Sequence, residues 1–334
     1  MRDHQQAATV ALSCKVSRLG CMRLVVVTIY LYVTFISSMT ISPYVGRFAP
    51  SPTGPLHFGS LVAALASYLD ARHQDGTWLV RMEDIDPPRE QPGAADKILK
   101  ALDVYGLHWD GEVLYQSQRS NAYEEAMEQL KQSQAIYPCT CSRKQLQPYQ
   151  GIYPGLCRNA SLNTLPDKPY AWRLNSQDEI IEFDDRIQGH QQFDMKALGD
   201  FIVQRKERLF AYQLAVCVDD EFQKITHIVR GNDLIDSTPR QISLQSALGM
   251  NKVTYAHIPV IVQDNGDKLS KQNLAPELPL DNPRPLLLKA LQALGHVPPK
   301  GLEGESTTYI INWGAENWNP DKIIRSSSLL ESDL

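Results

Sequence analysis

Apolar positions along the chain from Tyr44 onward switch repeatedly between the period of a strand and the period of a helix. The run 44–49, YVGRFA, predicts a buried strand, and Ser60 to His73 follows with Leu61, Leu65 and Leu69 at four-residue spacing, one face of a helix. A second strand is predicted over 77–86. An amphipathic helix over 94–107 carries Ile98, Leu102 and Tyr105, a further helix spans 119–134, and a short strand spans 135–141. The pattern then breaks and resumes after about residue 180. Residues 200–216 predict a hairpin leading into a helix, 224–231 a strand, 241–248 a helix and 256–263, AHIPVIVQ, another strand. Strands alternating with helices imply an α/β fold, a doubly wound parallel sheet covered on both faces. Such sheets bind ligands beyond the carboxyl ends of their strands.

The first strand-to-helix connection lies at that edge. Its sequence, GRFAPSPTGPLHFGS over 46–60, is stiffened by Pro50, Pro52 and Pro55, while Gly54 and Gly59 permit close backbone approach. The helix that begins near Gly59 offers free N–H groups and a positive dipole end to an anion, and His57 can donate to the same anion. Taken alone, the segment reads equally well as a proline-rich turn with a surface histidine.

Composition narrows the class. The 334 residues carry 33 Lys and Arg against 38 Asp and Glu, a net charge of −5, so any nucleic-acid contact needs a local basic face. Six unevenly spaced cysteines in a chain of this size argue against a disulfide framework and for a reducing, cytoplasmic setting. Leu24 to Ile36 is uncharged but shorter than a membrane span, and it lacks a small-residue cleavage site of the kind that ends a signal peptide. Residues 1–38 are therefore expected to be an extension outside the fold, with Met39 a natural beginning.

Two further stretches carry chemistry. Over 264–271, DNGDKLSK has a turn signal at Asn265-Gly266, which puts Lys268 and Lys271 on an exposed loop. Over 139–157, Cys139 and Cys141 are followed by Cys157, three soft ligands that favour zinc but leave a tetrahedral site one donor short, with no histidine inside the segment. Three free buried cysteines are the plain alternative. Cys217 lies in an apolar helix and is expected in the core.

HFGS at 57–60 and KLSKQ at 268–272 resemble the paired HIGH and KMSKS motifs of class I aminoacyl-tRNA synthetases. RFAPSPTGPLHFGS, RMEDIDPPRE, VDD, VRGNDLIDSTPRQ and HIPVI resemble the glutamyl-tRNA synthetases in the family's order, over residues 44 to about 295. Ser60 and Gln272 depart from the usual motif residues. The stretch after Gln272, including the helix RPLLLKALQALG, has no room for the helical anticodon-binding region of those enzymes. The nearest resemblance is thus to the shorter glutamyl-queuosine tRNA(Asp) synthetase family. It implies a Rossmann-type class I catalytic core with a small zinc-binding insertion and no anticodon-binding domain.

The resemblance also implies an activity: ATP-dependent activation of L-glutamate and its transfer to queuosine in the anticodon of tRNA(Asp). It places Arg47, Phe48, Ala49, Pro50, Ser51, Glu83, Tyr212 and Arg230 around glutamate, His57, Gly59 and Lys271 at ATP, and His57, Lys268 and Lys271 in catalysis. Tyr153 would complete the zinc set of Cys139, Cys141 and Cys157. Chemistry supports the two arginines, because a guanidinium pairs bidentately with a carboxylate. Val216 stands where aminoacylating relatives often have asparagine. Mg²⁺ is expected with ATP, held mostly by phosphates and water. The expected division is an extension over 1–38, a first catalytic half over 39–138, the insertion over 139–180, a second half with the lysine loop over 181–295, and a C-terminal tail over 296–334. Arg143, Lys144 and Arg158 are expected to meet the RNA backbone. A monomer with no stable membrane association is expected. The competing readings are a shortened glutamyl-tRNA synthetase charging a 3′ end, a nucleotidyltransferase or small-molecule ligase on the same fold, and a zinc-bearing RNA-binding module without catalysis.

Overall fold

The computed structural model describes residues 43–159, 165–176, 179–268 and 275–334. The expectations for residues 1–38, for Lys271 and for Gln272 lie outside these residues.

The chain enters on strand β1 (Val45–Phe48), crosses through helix α1 (Phe58–His73) to β2 (Thr77–Met82), and continues through α2 (Ala94–Val104) to β3 (Leu114–Tyr115). These three strands are parallel, with Arg47 opposite Leu79 and Arg81 opposite Leu114. Helix α3 (Ser120–Gln132) leads into β4 (Ile136–Cys139), the short helix α4 (Arg143–Leu146) and β5 (Ala171–Leu174). A hairpin of β6 (Ile180–Asp185) and β7 (Gly189–Asp194) follows, then α5 (Met195–Leu198) and β8 (Ile202–Gln204). Strands β4, β5 and β8 form an antiparallel sheet in that order. The chain re-enters the parallel layer through α6 (Tyr212–Phe222), β9 (His227–Gly231), α7 (Thr238–Ala247) and β10 (Thr254–Ile258), with β9 and β10 parallel. The Thr226 N–H donates to the Val45 carbonyl (2.9 Å), which sets β9 beside β1. The strand order is therefore β3-β2-β1-β9-β10, and the progression reverses between β1 and β9.

Two sequence expectations need correction. The run 256–263 is two strands, because Pro259 has no N–H to donate and ends β10 at Ile258. Strand β11 (Val260–Val262) turns away and pairs in parallel with β12 (Ser328–Leu330). Residues 296–334, read from sequence as a tail, are folded around β12 and helix α9 (Thr307–Glu316), which follows α8 (Arg284–Ala293). Ile310, Ile311 and Trp318 are buried in the same core as α1, and a Cβ on Gly314 would come within 3.2 Å of Leu69 and Leu291.

Helix α1 explains why that C-terminal segment is needed. Its apolar residues are not confined to one stripe: Leu61, Val62, Leu65, Ala66, Leu69 and Ala71 are all buried, so the helix must be covered on both sides. Asp70 within it accepts from Arg186 (2.9 Å to Nη2), from Trp318 Nε1 (2.9 Å) and from the Tyr44 hydroxyl. Burial alone would push this carboxyl upward, and the Arg186 pairing instead holds it below its ordinary value. One carboxylate thus ties together the first strand, the β6–β7 turn and the C-terminal segment. Among the described residues, no helix is long and apolar enough to cross a membrane.

Candidate active site and cysteine cluster

A cavity of about 490 Å³ opens beyond the carboxyl ends of β1 and β9, where the strand order reverses. Arg47 to Ser51 leave β1 into it, and Glu83 leaves β2. Arg230 closes β9, Tyr212 begins α6, and His57 with Gly59 forms the start of α1. Lys268 also lines the cavity. The proline-rich loop is anchored rather than free: Glu83 N–H donates to Pro50 O (3.0 Å) and Gln91 N–H to Pro52 O (3.0 Å). Gly54 takes φ of 146°, a backbone conformation that side-chain-bearing residues avoid. His57 is the N-cap of α1, its Nδ1 accepting from Ser60 N–H at 3.3 Å.

Beneath the cavity floor lies a buried ionic network. Asp220 on α6 accepts from Arg47 Nε at 3.1 Å and pairs with Arg81 at 2.8 Å, and Arg81 reaches Glu83 at 3.5 Å. The adjacent Asp219 accepts from Arg119 Nε (2.8 Å), Gln116 Nε2 (2.8 Å) and Tyr123 OH (2.7 Å). Burial tends to raise the Asp220 carboxyl, but Arg47 and Arg81 hold it below the ordinary range, so it stays ionised. Glu83 behaves differently. Desolvation outweighs its two arginines, and its pKa is pushed up to about 7. Its Oε1 is buried and without a hydrogen-bond partner in the described residues.

Arg230 is fixed on two edges. Its Nε donates to His257 Nε2 (3.0 Å) and its Nη2 to Thr238 Oγ1 (2.7 Å), leaving Nη1 buried and without a hydrogen-bond partner among the described residues. Lys268 pairs with Asp233 at 2.5 Å.

The second constellation lies in the insertion. The sulfurs of Cys139, Cys141 and Cys157 lie within 4.8 Å of one another and could hold a metal ion. The Tyr153 hydroxyl points into the same group, 3.4 Å from Cys139 Sγ and 3.9 Å from Cys141 Sγ, and it accepts from Cys157 N–H at 2.8 Å. Four ligands at zinc-bonding length around one ion sit roughly 3.5–4 Å apart, so the three sulfurs and the phenol oxygen suit one four-coordinate ion. Arg173 stacks 3.8 Å over the Tyr153 ring, and Lys206 Nζ donates to the carbonyls of Thr140 and Cys141.

Residues 44–304 match the family model described as tRNA synthetases class I (E and Q), catalytic domain. A glutamyl-Q tRNA(Asp) synthetase of Ectopseudomonas mendocina is 52% identical over 292 residues, 87% of this chain and 98% of the relative. One of Pseudomonas fluorescens is 53% identical over 299 residues, 89% of this chain and 99% of the relative. The chain belongs to the glutamyl-Q tRNA(Asp) synthetase family. Among solved structures, a glutamate tRNA ligase from Elizabethkingia meningosepticum in complex with its amino acid superposes with a TM-score of 0.72 at 25% identity. That match covers 86% of this chain and 67% of the ligase.

For this family member, every glutamate-site residue expected from the sequence lines the one cavity, as do His57, Gly59 and Lys268. Cys217 is buried in α6 as expected, its thiol pushed upward by burial. Val216 is fully buried and outside the cavity lining. The three basic residues expected to meet RNA differ in setting: the Arg158 guanidinium is paired with the buried Asp200 at 2.6 and 2.9 Å and is only partly exposed, whereas Arg143 and Lys144 are exposed. Sequence reasoning also missed the residues behind the site: Arg81, Asp220, Asp185, Thr238 and His257. Their signal was available in part, since a charged residue inside an apolar strand or helix, such as Arg81 in TWLVRM, demands a buried partner.

Proposed function

We propose that this chain activates L-glutamate with ATP and transfers the glutamyl group to the queuosine base of tRNA(Asp). The observation that carries the activation step is the union, in one cavity, of a carboxylate clamp and a phosphate-facing helix start. Arg47 and Arg230 supply positive charge for the substrate carboxylates. Glu83 faces the ammonium, and Tyr212 adds a hydroxyl. His57 and the Gly59 backbone serve the phosphates from the α1 N-terminus, together with Lys268 on the cavity wall. Lys271, outside the described residues, is assigned to the phosphates from the KLSKQ motif alone. A glutamate carboxylate oxygen attacks the α-phosphorus, the bond to the bridging oxygen breaks, and pyrophosphate leaves. Cations already in place where charge develops account for the acceleration, typically about 10²–10³ per group. Mg²⁺ arriving with ATP neutralises phosphate charge. A hydroxyl of the modified base then attacks the acyl carbon, and AMP departs.

The acceptor follows from the relatives, which carry the glutamyl-Q tRNA(Asp) name along nearly their whole length. The cysteine cluster with Tyr153 is read as a structural zinc site in the insertion, because no fourth position is left open for a reacting water.

Transfer of labelled glutamate tests the reading. Label should appear on tRNA(Asp) whose 3′ adenosine has been removed and should be absent from tRNA lacking queuosine. If periodate destruction of only the terminal ribose stops transfer, the chain charges a 3′ end and the queuosine assignment falls. Pyrophosphate exchange should require glutamate but no RNA, since every clamp and phosphate group belongs to the protein.

A further inference from the structure

His257 on β10 touches neither the cavity nor solvent, yet it is the acceptor on which Arg230 rests. Its own orientation is set by Asp185 at the end of β6. Asp185 Oδ2 lies 2.6 Å from His257 Nδ1, while Oδ1 accepts from the N–H groups of Ile187 (3.0 Å), Gln188 (2.8 Å) and His257 itself (3.1 Å). A carboxylate can only accept, so Nδ1 carries the ring proton and Nε2 presents its lone pair. That lone pair takes the Arg230 Nε–H at 3.0 Å, with the Thr238 hydroxyl oxygen also 3.1 Å from His257 Nε2. With Thr238 Oγ1 holding Nη2, the guanidinium plane is fixed, and the nitrogen left without a partner among the described residues is Nη1. Burial and the nearby Arg230 charge both keep the imidazole below its ordinary pKa, in the neutral form this arrangement needs.

We propose that Asp185 and His257 are positioning residues that set the tautomer of one ring and, through it, the aim of Arg230 at the amino-acid substrate. The inference rests on the reading of Arg230 as a glutamate ligand. Neither residue touches substrate. Their effect is to hold a buried cation in one orientation before glutamate arrives, so that little ordering remains to be done on binding.

Asp185→Asn tests it with almost no change of shape. The amide keeps an oxygen for the three backbone N–H groups. Its NH₂ now donates to Nδ1, which moves the ring proton to Nε2 and sets it against the Arg230 Nε–H. Glutamate KM in pyrophosphate exchange should rise roughly tenfold or more, as for loss of a hydrogen bond to a charged group, with ATP KM unchanged. His257→Gln presents an amide oxygen near the position of Nε2 and should keep glutamate KM close to that of the parent. His257→Asn is too short and should raise it. In the His257→Gln background, Asp185→Asn should have no further effect on glutamate KM. Should Asp185→Asn fail to fold, the His257→Gln and His257→Asn pair carries the test, and equal glutamate KM in both overturns the proposal. Arg230→Ala separates the two levels. If it raises glutamate KM while Asp185→Asn and His257→Asn do not, the positioning inference alone falls. If Arg230→Ala leaves glutamate KM unchanged, the glutamate reading of Arg230 falls and this inference with it.

Discussion

The cavity and the cysteine cluster satisfy their polar groups in opposite ways. The cavity draws Arg47, Glu83, Tyr212, Arg230 and Lys268 from strands and loops far apart in the chain, and most of its charge is answered by other protein charge. The cluster takes all four donors from residues 139–157, and beyond hydrogen bonds among themselves they converge on a point where a cation would sit. A site assembled across a sheet is rigid because the sheet is. A site assembled within one loop has few other apolar contacts: among the described residues its buried core is Tyr137, Cys139 and Tyr153, with Cys141, Leu146 and Cys157 partly buried against it. The first should therefore withstand loss of a ligand, and the second should depend on one.

The largest effect is expected at the cluster. Closed zinc sites contribute ~10–16 kcal/mol of apparent binding in small peptides, so Cys157→Ser, or exhaustive chelation, should remove the metal and loosen the insertion first. Hydrogen exchange should show protection lost over residues 139–159 while glutamate-dependent pyrophosphate exchange persists. Parallel loss of both would break the contrast between the two regions. Untagged protein with well under one zinc per chain would remove the zinc reading.

Next in size is the network beneath the cavity. Asp220→Ala leaves Arg47 and Arg81 buried without their shared counter-charge, which should cost about 3–5 kcal/mol of global stability in denaturant unfolding. A loss below about 1 kcal/mol would show that the cavity floor is not held by charge.

A smaller, pH-dependent effect should appear at Glu83. With a pKa near 7 in the free protein, it is protonated below that pH and cannot oppose the substrate ammonium. Its neighbours Arg81, held above its ordinary value, and Asp220, held below its own, stay charged through this range, so the titration is assigned to Glu83. Glutamate KM should rise as pH falls below about 7, approaching tenfold per pH unit. The rise should flatten in Glu83→Gln. A KM independent of pH from 5.5 to 8 would contradict the buried, partly neutral Glu83.

The smallest effect concerns the exposed basic pair beside the cluster. Arg143→Ala with Lys144→Ala should weaken tRNA binding modestly and reduce its salt slope by about two, whereas pyrophosphate exchange should not change. An unaltered slope would remove these two residues from the RNA contact.

Much of the molecule was legible from the chain alone. Local periodicity marked nearly every strand and helix of the parallel layer, because a buried strand and a half-buried helix impose different spacings on apolar residues. The cysteine cluster was legible for a similar reason. Its three sulfurs lie within nineteen residues, and a turn-rich loop brings such neighbours together almost regardless of the rest of the fold. The position of the first loop at the ligand edge was legible from the strand-helix pattern, whereas the individual cavity residues came from the resemblance of HFGS, KLSKQ and their flanking segments to the glutamyl-tRNA synthetases.

Only the tertiary structure decided what those residues lean on. The spacing of Asp220, Asp185 or His257 carries no hint that one pairs with Arg47 and the others orient Arg230, because those contacts cross 173, 72 and 27 positions of chain. Arg158 reads as a free basic residue until Asp200 is seen buried against it. Residues 296–334 read as a tail until α1 is seen to be buried on more than one side, with Ile310, Ile311 and Trp318 in the same core. Sequence determines which residues are able to bury, bend or carry charge. Which buried charge answers which depends on where the sheet brings distant segments together, and a single chain does not record that.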